Sequence, residues 1–167
     1  MKKLLKVVEK IGKLLERKKI KWAIVGSTSL ALQGIEIGPK DIDILTTKEG
    51  AYKISSLLKE YEVKPVEFGR TRIFSSHFGR FLIDGIKVEV MGDLKGKVEG
   101  KWVSLTGRLK RLEYVKVGNA RIPVPSLEDQ LEVYSKLKRR KNLERVRKIR
   151  EFLEKRKKFK LTEKIKF

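Results

Sequence analysis

The chain has 167 residues, no cysteine, 38% charged residues and a net charge of +21. That length suits one domain with a real core, and the missing cysteine excludes disulfides and thiolate metal sites. The longest apolar runs are strand-sized, with no 18-residue span and no secretory h-region, so a cytoplasmic protein with no membrane role is expected.

The charge is uneven. Residues 1–40 carry +7, residues 41–100 balance to zero, and residues 136–167 hold 16 basic and 4 acidic groups, or +12. Basic ends around a balanced centre fit a polyanion such as nucleic acid, an acidic partner protein, or a solvated surface of the kind heat-adapted chains carry.

In chain order, residues 2–19 predict an amphipathic helix with Leu4, Leu5, Val8, Ile11 and Leu15 on its apolar stripe. A strand at 21–26 ends in Gly26-Ser27, followed by a short helix over about 27–33 that Gly34 stops. A loop with two glycines and Pro39 leads into a strand at 40–46, Lys-Asp-Ile-Asp-Ile-Leu-Thr. Period 2 places Asp41 and Asp43 on one face and Ile42 and Ile44 in the core. Their α-carbons would lie about 7 Å apart, so both carboxylates can reach one cation.

An Asp-x-Asp pair can also be a strand end that faces water. Asp is nonetheless depleted in strands, and two charges about 5 Å apart repel by roughly 3 kcal/mol at an effective dielectric near 20. A hard cation such as Mg²⁺ turns that repulsion into attraction, and it commonly shares carboxylates with substrate phosphates. Gly26 lets a ligand approach the backbone, and a helix beginning at Ser27 would turn free N–H groups toward an anion.

Val25-Gly26-Ser27, an interval of about a dozen residues, and then Asp41-Ile42-Asp43-Ile44 resembles the nucleotidyltransferase superfamily that includes DNA polymerase beta. The resemblance implies a metal-dependent nucleotidyltransferase using Mg²⁺ or Mn²⁺. Asp41 and Asp43 would hold metal, and Gly26 and Ser27 would seat the phosphates of an NTP. It also implies a third carboxylate on a strand beside the Asp-x-Asp strand.

Further along, 48–61 predicts a crossover helix, after which 63–68 returns as a strand, and 70–78 is a further β-like piece. The lone histidine, His77, has no second ligand candidate nearby and is expected to be structural or superficial. Phe81-Leu82-Ile83, Asp84-Gly85 and Ile86–Val90 form the clearest hairpin. Glu89 lies mid-strand between aliphatics and matches the third carboxylate in context, although the superfamily commonly has Asp there. A solvent-facing strand Glu is the alternative; Asp84, in the turn, and Asp93, in the following loop, rank lower.

Residues 101–105 hint at a strand, and Gly118-Asn119 predicts a second hairpin joining 113–117 to 120–124. Ser126-Leu127-Glu128-Asp129 reads as a capped helix start. A last helix is expected over about 142–157, with Leu143, Val146, Ile149 and Leu153 inward; the tail from 159 to 167 has no assignment. This ending resembles small antibiotic-modifying and toxin–antitoxin nucleotidyltransferases, in which a Lys on the first of these helices can reach phosphate. Lys136 is the positional match. The following segment, often Arg-x-Lys-Asp, reads Arg139-Arg140-Lys141-Asn142 and lacks the acid.

The expectation is an α/β (α+β) fold: a twisted mixed sheet with helices on one side and a carboxyl-terminal helical pair. Residues 1–125 would form the nucleotidyltransferase-like core and 126–167 a basic helical extension of the same compact unit. By resemblance and site logic the chain moves an NMP from an NTP to an acceptor hydroxyl, with Asp41, Asp43 and Glu89 as metal and catalytic residues. The acceptor stays open between a small molecule, tRNA and a protein. The alternative is a binding module that keeps the fold and uses its basic ends on RNA or a partner protein.

Overall fold

The computed structural model describes residues 1–165. Helix α1 (Lys2–Leu15) leads into β1 (Trp22–Val25), α2 (Gly26–Leu32), β2 (Ile42–Thr46) and α3 (Lys48–Leu57). Strands β3 (Glu62–Arg70), β4 (Phe74–Ile83), β5 (Ile86–Val98) and β6 (Lys101–Ser104) follow. The ribbon β7 (Leu112–Val117) and β8 (Ala120–Pro125) precedes α4 (Leu127–Lys136) and α5 (Arg140–Ile165). The architecture is the expected α/β one, a mixed sheet with helices on one side and a helical pair at the end.

The main sheet has the order β1-β2-β5-β4-β3, with β6 paired to the distal half of β5; β7 and β8 pair separately. Among the described residues only β2 and β5 run parallel. Their central place follows from composition: Ile42, Ile44, Val88 and Val90 are all fully buried. Strand β3 takes the edge. Its residues are all exposed except Val66, and Pro65, which has no N–H to offer a ladder, fits only there.

That corrects the expectation that 63–68 returns beside the Asp strand as the second half of a simple crossover. The parallel partner of β2 is β5, and α3, β3 and β4 all lie in the connection. The charges that alternate through Lys64 and Glu67 unsuited that segment to the middle of a sheet. The Asp84-Gly85 turn forms as read, both residues at positive φ, with Asp84 ion-paired to Lys10 at the tip.

Helix α1 buries Leu4, Val7, Val8, Ile11 and Leu15 against the sheet and against β8. Gly12 permits that approach, since a Cβ there would stand 2.5 Å from the Ile122 side chain. A second cluster of Leu30, Ile35, Leu127 and Ile149 joins α2, α4 and α5. Leu143 corrects another expectation: it is 72% exposed. The buried Asn142 takes the inward position and donates from Nδ2 to the Leu137 carbonyl, so the inward stripe runs through 142, 145 and 149. Among the described residues no helix is long and apolar enough to cross a membrane.

Candidate active site

Strand β1 ends at Val25, and the chain turns into α2 through Gly26 at φ +72°. A side chain is disfavoured there twice over. The left-handed conformation strains any L-residue, and a Cβ would lie 2.8 Å from Asp43 Oδ2. The two halves of the motif are therefore in van der Waals range. They are also tied: Thr28 Oγ1 donates to the Asp41 carbonyl at 2.6 Å.

Strand register sets out the charges. Val25 pairs with Asp43, Asp43 with Glu89, Glu89 with Arg80 and Arg80 with Lys64. One row thus crosses five strands, and all five side chains line a single cleft of about 610 Å³. Glu89 lies on the Asp43 side of the sheet. Its Oε2 accepts from Arg80 Nε at 3.1 Å and Nη2 at 2.8 Å. Asp41 stands in a bend just before β2, outside the cleft lining, with its carboxylate 3.4 Å from Lys87 Nζ.

Burial pushes the Asp43 carboxyl up to about 6, and Glu89 adds to this; Arg145 and Lys141 pull it down, while Asp41 raises it slightly. Asp41 and Glu89 are ion-paired with Lys87 and Arg80 respectively, and among the described residues no three carboxylates or imidazoles already converge at metal-ligand spacing. Asp43 and Glu89, however, are oxygen donors side by side on adjacent parallel strands. That donor set, in a cleft floored by a glycine, fits Mg²⁺ or Mn²⁺.

The facing wall is cationic and comes from the start of α5. Arg145 donates from Nη2 to Ser27 Oγ at 3.2 Å and lies over the Tyr134 ring. Lys141 and Arg139 line the same cleft, and partial burial, together with the nearby Arg145 charge, lowers the pKa of each. A polar knot holds this wall to the Gly-Ser turn. Gln130 Nε2 donates to Ser29 Oγ at 2.9 Å and to the Pro125 carbonyl, and Tyr134 donates to Gln130 Oε1.

The structure thus brings together Gly26, Asp43 and Glu89, with Ser27 bound to Arg145 and Asp41 at the margin. Lys136 is elsewhere. It is exposed, paired with Glu132 one turn back on α4, and outside the cleft lining. The last turn of α4 carries Lys136 away, and the link to α5 returns Arg139, Lys141 and Arg145 instead. The spacing could have given two of these: Lys141 and Arg145 are four apart, and Ile149 continues the stripe. Arg80 was legible only once Glu89 had a strand partner.

A Gly-Ser turn facing two in-register acids on a mixed sheet defines a nucleotidyltransferase fold. The family model of aminoglycoside-2''-adenylyltransferase matches residues 7–148, and the chain belongs to that nucleotidyltransferase family. A protein from Thermotoga maritima described as a candidate nucleotidyltransferase is 39% identical; the match covers 91% of this chain and 93% of that one, with a TM-score of 0.76.

Two more distant structures share the fold. The lincosamide antibiotic adenylyltransferase LnuA, lincomycin-bound, has 15% identity and a TM-score of 0.54, over 89% of this chain and 95% of that one. ANT(2'')-Ia in complex with adenylyl-2''-tobramycin has 10% identity and a TM-score of 0.57, over 90% and 89%. No curated protein matches the chain.

Proposed function

We propose that this chain transfers a nucleoside monophosphate from an NTP to the hydroxyl of an acceptor and releases pyrophosphate. The observation that carries this reading is the in-register pair Asp43 and Glu89 beneath the Gly26 turn. Asp41, Asp43 and Glu89 are the residues that would hold Mg²⁺ or Mn²⁺. When bound, the metal supplies Lewis-acid charge that offsets the negative charge on the reacting phosphate.

The protein's own part is positioning and electrostatics. Gly26 leaves the backbone open to phosphate, and Ser27 and Arg145 meet the far end of the triphosphate. Lys141 adds charge from α5, in the role first assigned to Lys136. Glu89 starts out bound to Arg80. Freed by an incoming substrate, its carboxylate takes the proton of the acceptor hydroxyl. The acceptor oxygen bonds to the α-phosphorus as the bond to the β-phosphate bridge breaks, and pyrophosphate leaves. A small-molecule acceptor is favoured by the size of the cleft, about 610 Å³, and by the lincomycin and tobramycin groups named for the two antibiotic enzymes.

Incubation with each α-labelled NTP, Mg²⁺ and fractionated cell extract tests the reading. Label should appear on one acceptor class and vanish with EDTA. Absence of label from every fraction with all four nucleotides would remove the proposal.

A further inference from the structure

The back of the main sheet, opposite the cleft, is only partly covered. Helix α3 lies over its middle, close enough that a Cβ on Gly92 would stand 2.6 Å from the Ala51 side chain. Past Gly92 the sheet is still four strands wide, with β3, β4, β5 and β6 side by side. Register draws one row across them: Arg70, Ser75, Lys95 and Ser104. Two residues nearer α3, Phe68 pairs with His77; two residues farther out, Lys97 pairs with Trp102. The alternate residues Phe74, Ser76 and Phe78 line the cleft, so these rows face away from it.

Rings and cations share this back face. The His77 ring lies between those of Phe68, at 5.3 Å, and Tyr52 on α3, at 5.5 Å, and its Nδ1 is 2.8 Å from the Tyr52 hydroxyl. Lys97 Nζ stands 5.6 Å from the Trp102 ring centroid. Phe68 is 62% exposed and Trp102 38%, so both rings are open to a ligand. Arg70, Lys95 and Lys97 are exposed and make no ion pair among the described residues. Arg70, on the edge strand, touches the cleft rim as well. Of the acids near by, Glu67 pairs with Phe78 and so faces the cleft; Asp93 is half-buried at the β5 bulge, and Glu49 lies in the first turn of α3.

A protein partner or a lipid surface would call for a contiguous apolar patch, whereas here each ring adjoins a cation or a hydroxyl. Flat π-faces set among cations suit unstacked bases joined by phosphates. Phe68 and Trp102 are three strands and four residues apart, roughly 20 Å at about 4.8 Å per strand and about 3.4 Å per residue. That is the reach of about four nucleotides, a short site of its kind.

We infer that this face binds single-stranded nucleic acid, with bases stacked on Phe68 and Trp102 and phosphates along Arg70, Lys95 and Lys97. The site is independent of the transfer reading, because the cleft opens on the other side of the sheet.

Fluorescence anisotropy of labelled short oligo(U) and oligo(dT) with the full chain, at several salt concentrations, tests this. Binding of either supports the inference, and the tighter of the two names RNA or DNA. Phe68→Ala and Trp102→Ala should each lower affinity about tenfold, while Trp102→Phe should lose less than about threefold, since it keeps a stacking face. The exposed Trp102 should lose fluorescence on binding, and the buried Trp22 should keep its own. Lys95→Gln with Lys97→Gln should flatten the slope of log affinity on log salt by about 1.4. A charge-matched control, Lys155→Gln with Lys158→Gln on the exposed stretch of α5, should flatten it far less. Circular dichroism confirms that each variant keeps its fold.

Alanine variants that are folded and bind as the parent does would overturn the inference, as would tighter binding of a duplex of the same length. Equal flattening by the control would assign the binding to net charge alone and overturn it too.

Discussion

The two walls of the cleft are built on different principles. Asp43 and Glu89 are short side chains on neighbouring strands, fixed by ladder hydrogen bonds and by register. Arg139, Lys141 and Arg145 sit on long stems around the link between α4 and the first turns of α5. The acids set a geometry to a fraction of an ångström; the cations can follow a phosphate chain as it moves. Precision therefore belongs to the sheet and adaptability to the helices, and substitutions in the two should fail differently.

The largest expected effect is on the rigid wall. Asp43→Asn should lower transfer by about 10³-fold or more, several kcal/mol of lost charge stabilisation. Steady-state assays with the identified acceptor check this, and near-normal turnover would mean that the acid wall does not hold metal.

The same substitution should stabilise the metal-free protein at neutral pH. The Asp43 carboxyl is raised from 3.8 to about 6 in the folded state, chiefly by burial. Its ionisation thus costs stability as pH rises between those values, by at most about 3 kcal/mol. Asp43→Asn should gain most of that above pH 6 and nothing below about pH 4. Denaturant unfolding in EDTA across this range measures it. A gain that persists at pH 3.5 would point to packing rather than charge.

On the adaptable wall, Arg145→Gln should raise the Km for NTP about 10- to 100-fold, as expected for loss of a charged hydrogen bond. Its fold should remain, because the guanidinium faces the cleft. Gly26→Ala is expected to cost about 1–2 kcal/mol of stability from the left-handed backbone, and to displace the Asp43 carboxylate. Thermal unfolding and Mg²⁺ titration report the two losses. Smallest of all, Lys136→Gln should leave Km for NTP within about twofold, since an exposed i,i+4 pair is worth a fraction of a kcal/mol. A tenfold rise there would return Lys136 to the nucleotide.

The acid wall was the legible one. A period-2 alternation around Asp41 and Asp43, and the aliphatics around Glu89, announce both strand and face, because a one-residue slip would bury the charges. The Gly-Ser turn was equally plain. Pairing between strands was not: nothing local in 63–68 says that it lies on an edge, and that depends on β5 winning the centre with Val88 and Val90. The cationic wall was hidden by abundance. With 16 basic residues after 135, helical phase alone had to choose among them. Leu143 was read inward where Asn142 is buried, while Ile149 and Leu153 do face the core as read.

The contact between α1 and β8 has a consequence for how the chain is made. The apolar stripe of α1 is finished within the first 15 residues, yet it is covered in part by Val117, Ala120, Ile122 and Val124. Asn119 also closes back on it, donating its backbone N–H to Glu9 Oε2 at 2.7 Å. Native contacts so distant in sequence form slowly and cannot form before the later partner is synthesised. During translation the first helix is an exposed greasy surface for as long as a hundred residues take to emerge. The five lysines of the helix, with Arg17 and Lys18 just after it, would then act as a solubility guard for the nascent chain. A chain stopped after Arg111 should lack cooperative unfolding by circular dichroism, and it should aggregate more readily once Lys6, Lys10 and Lys13 are made neutral.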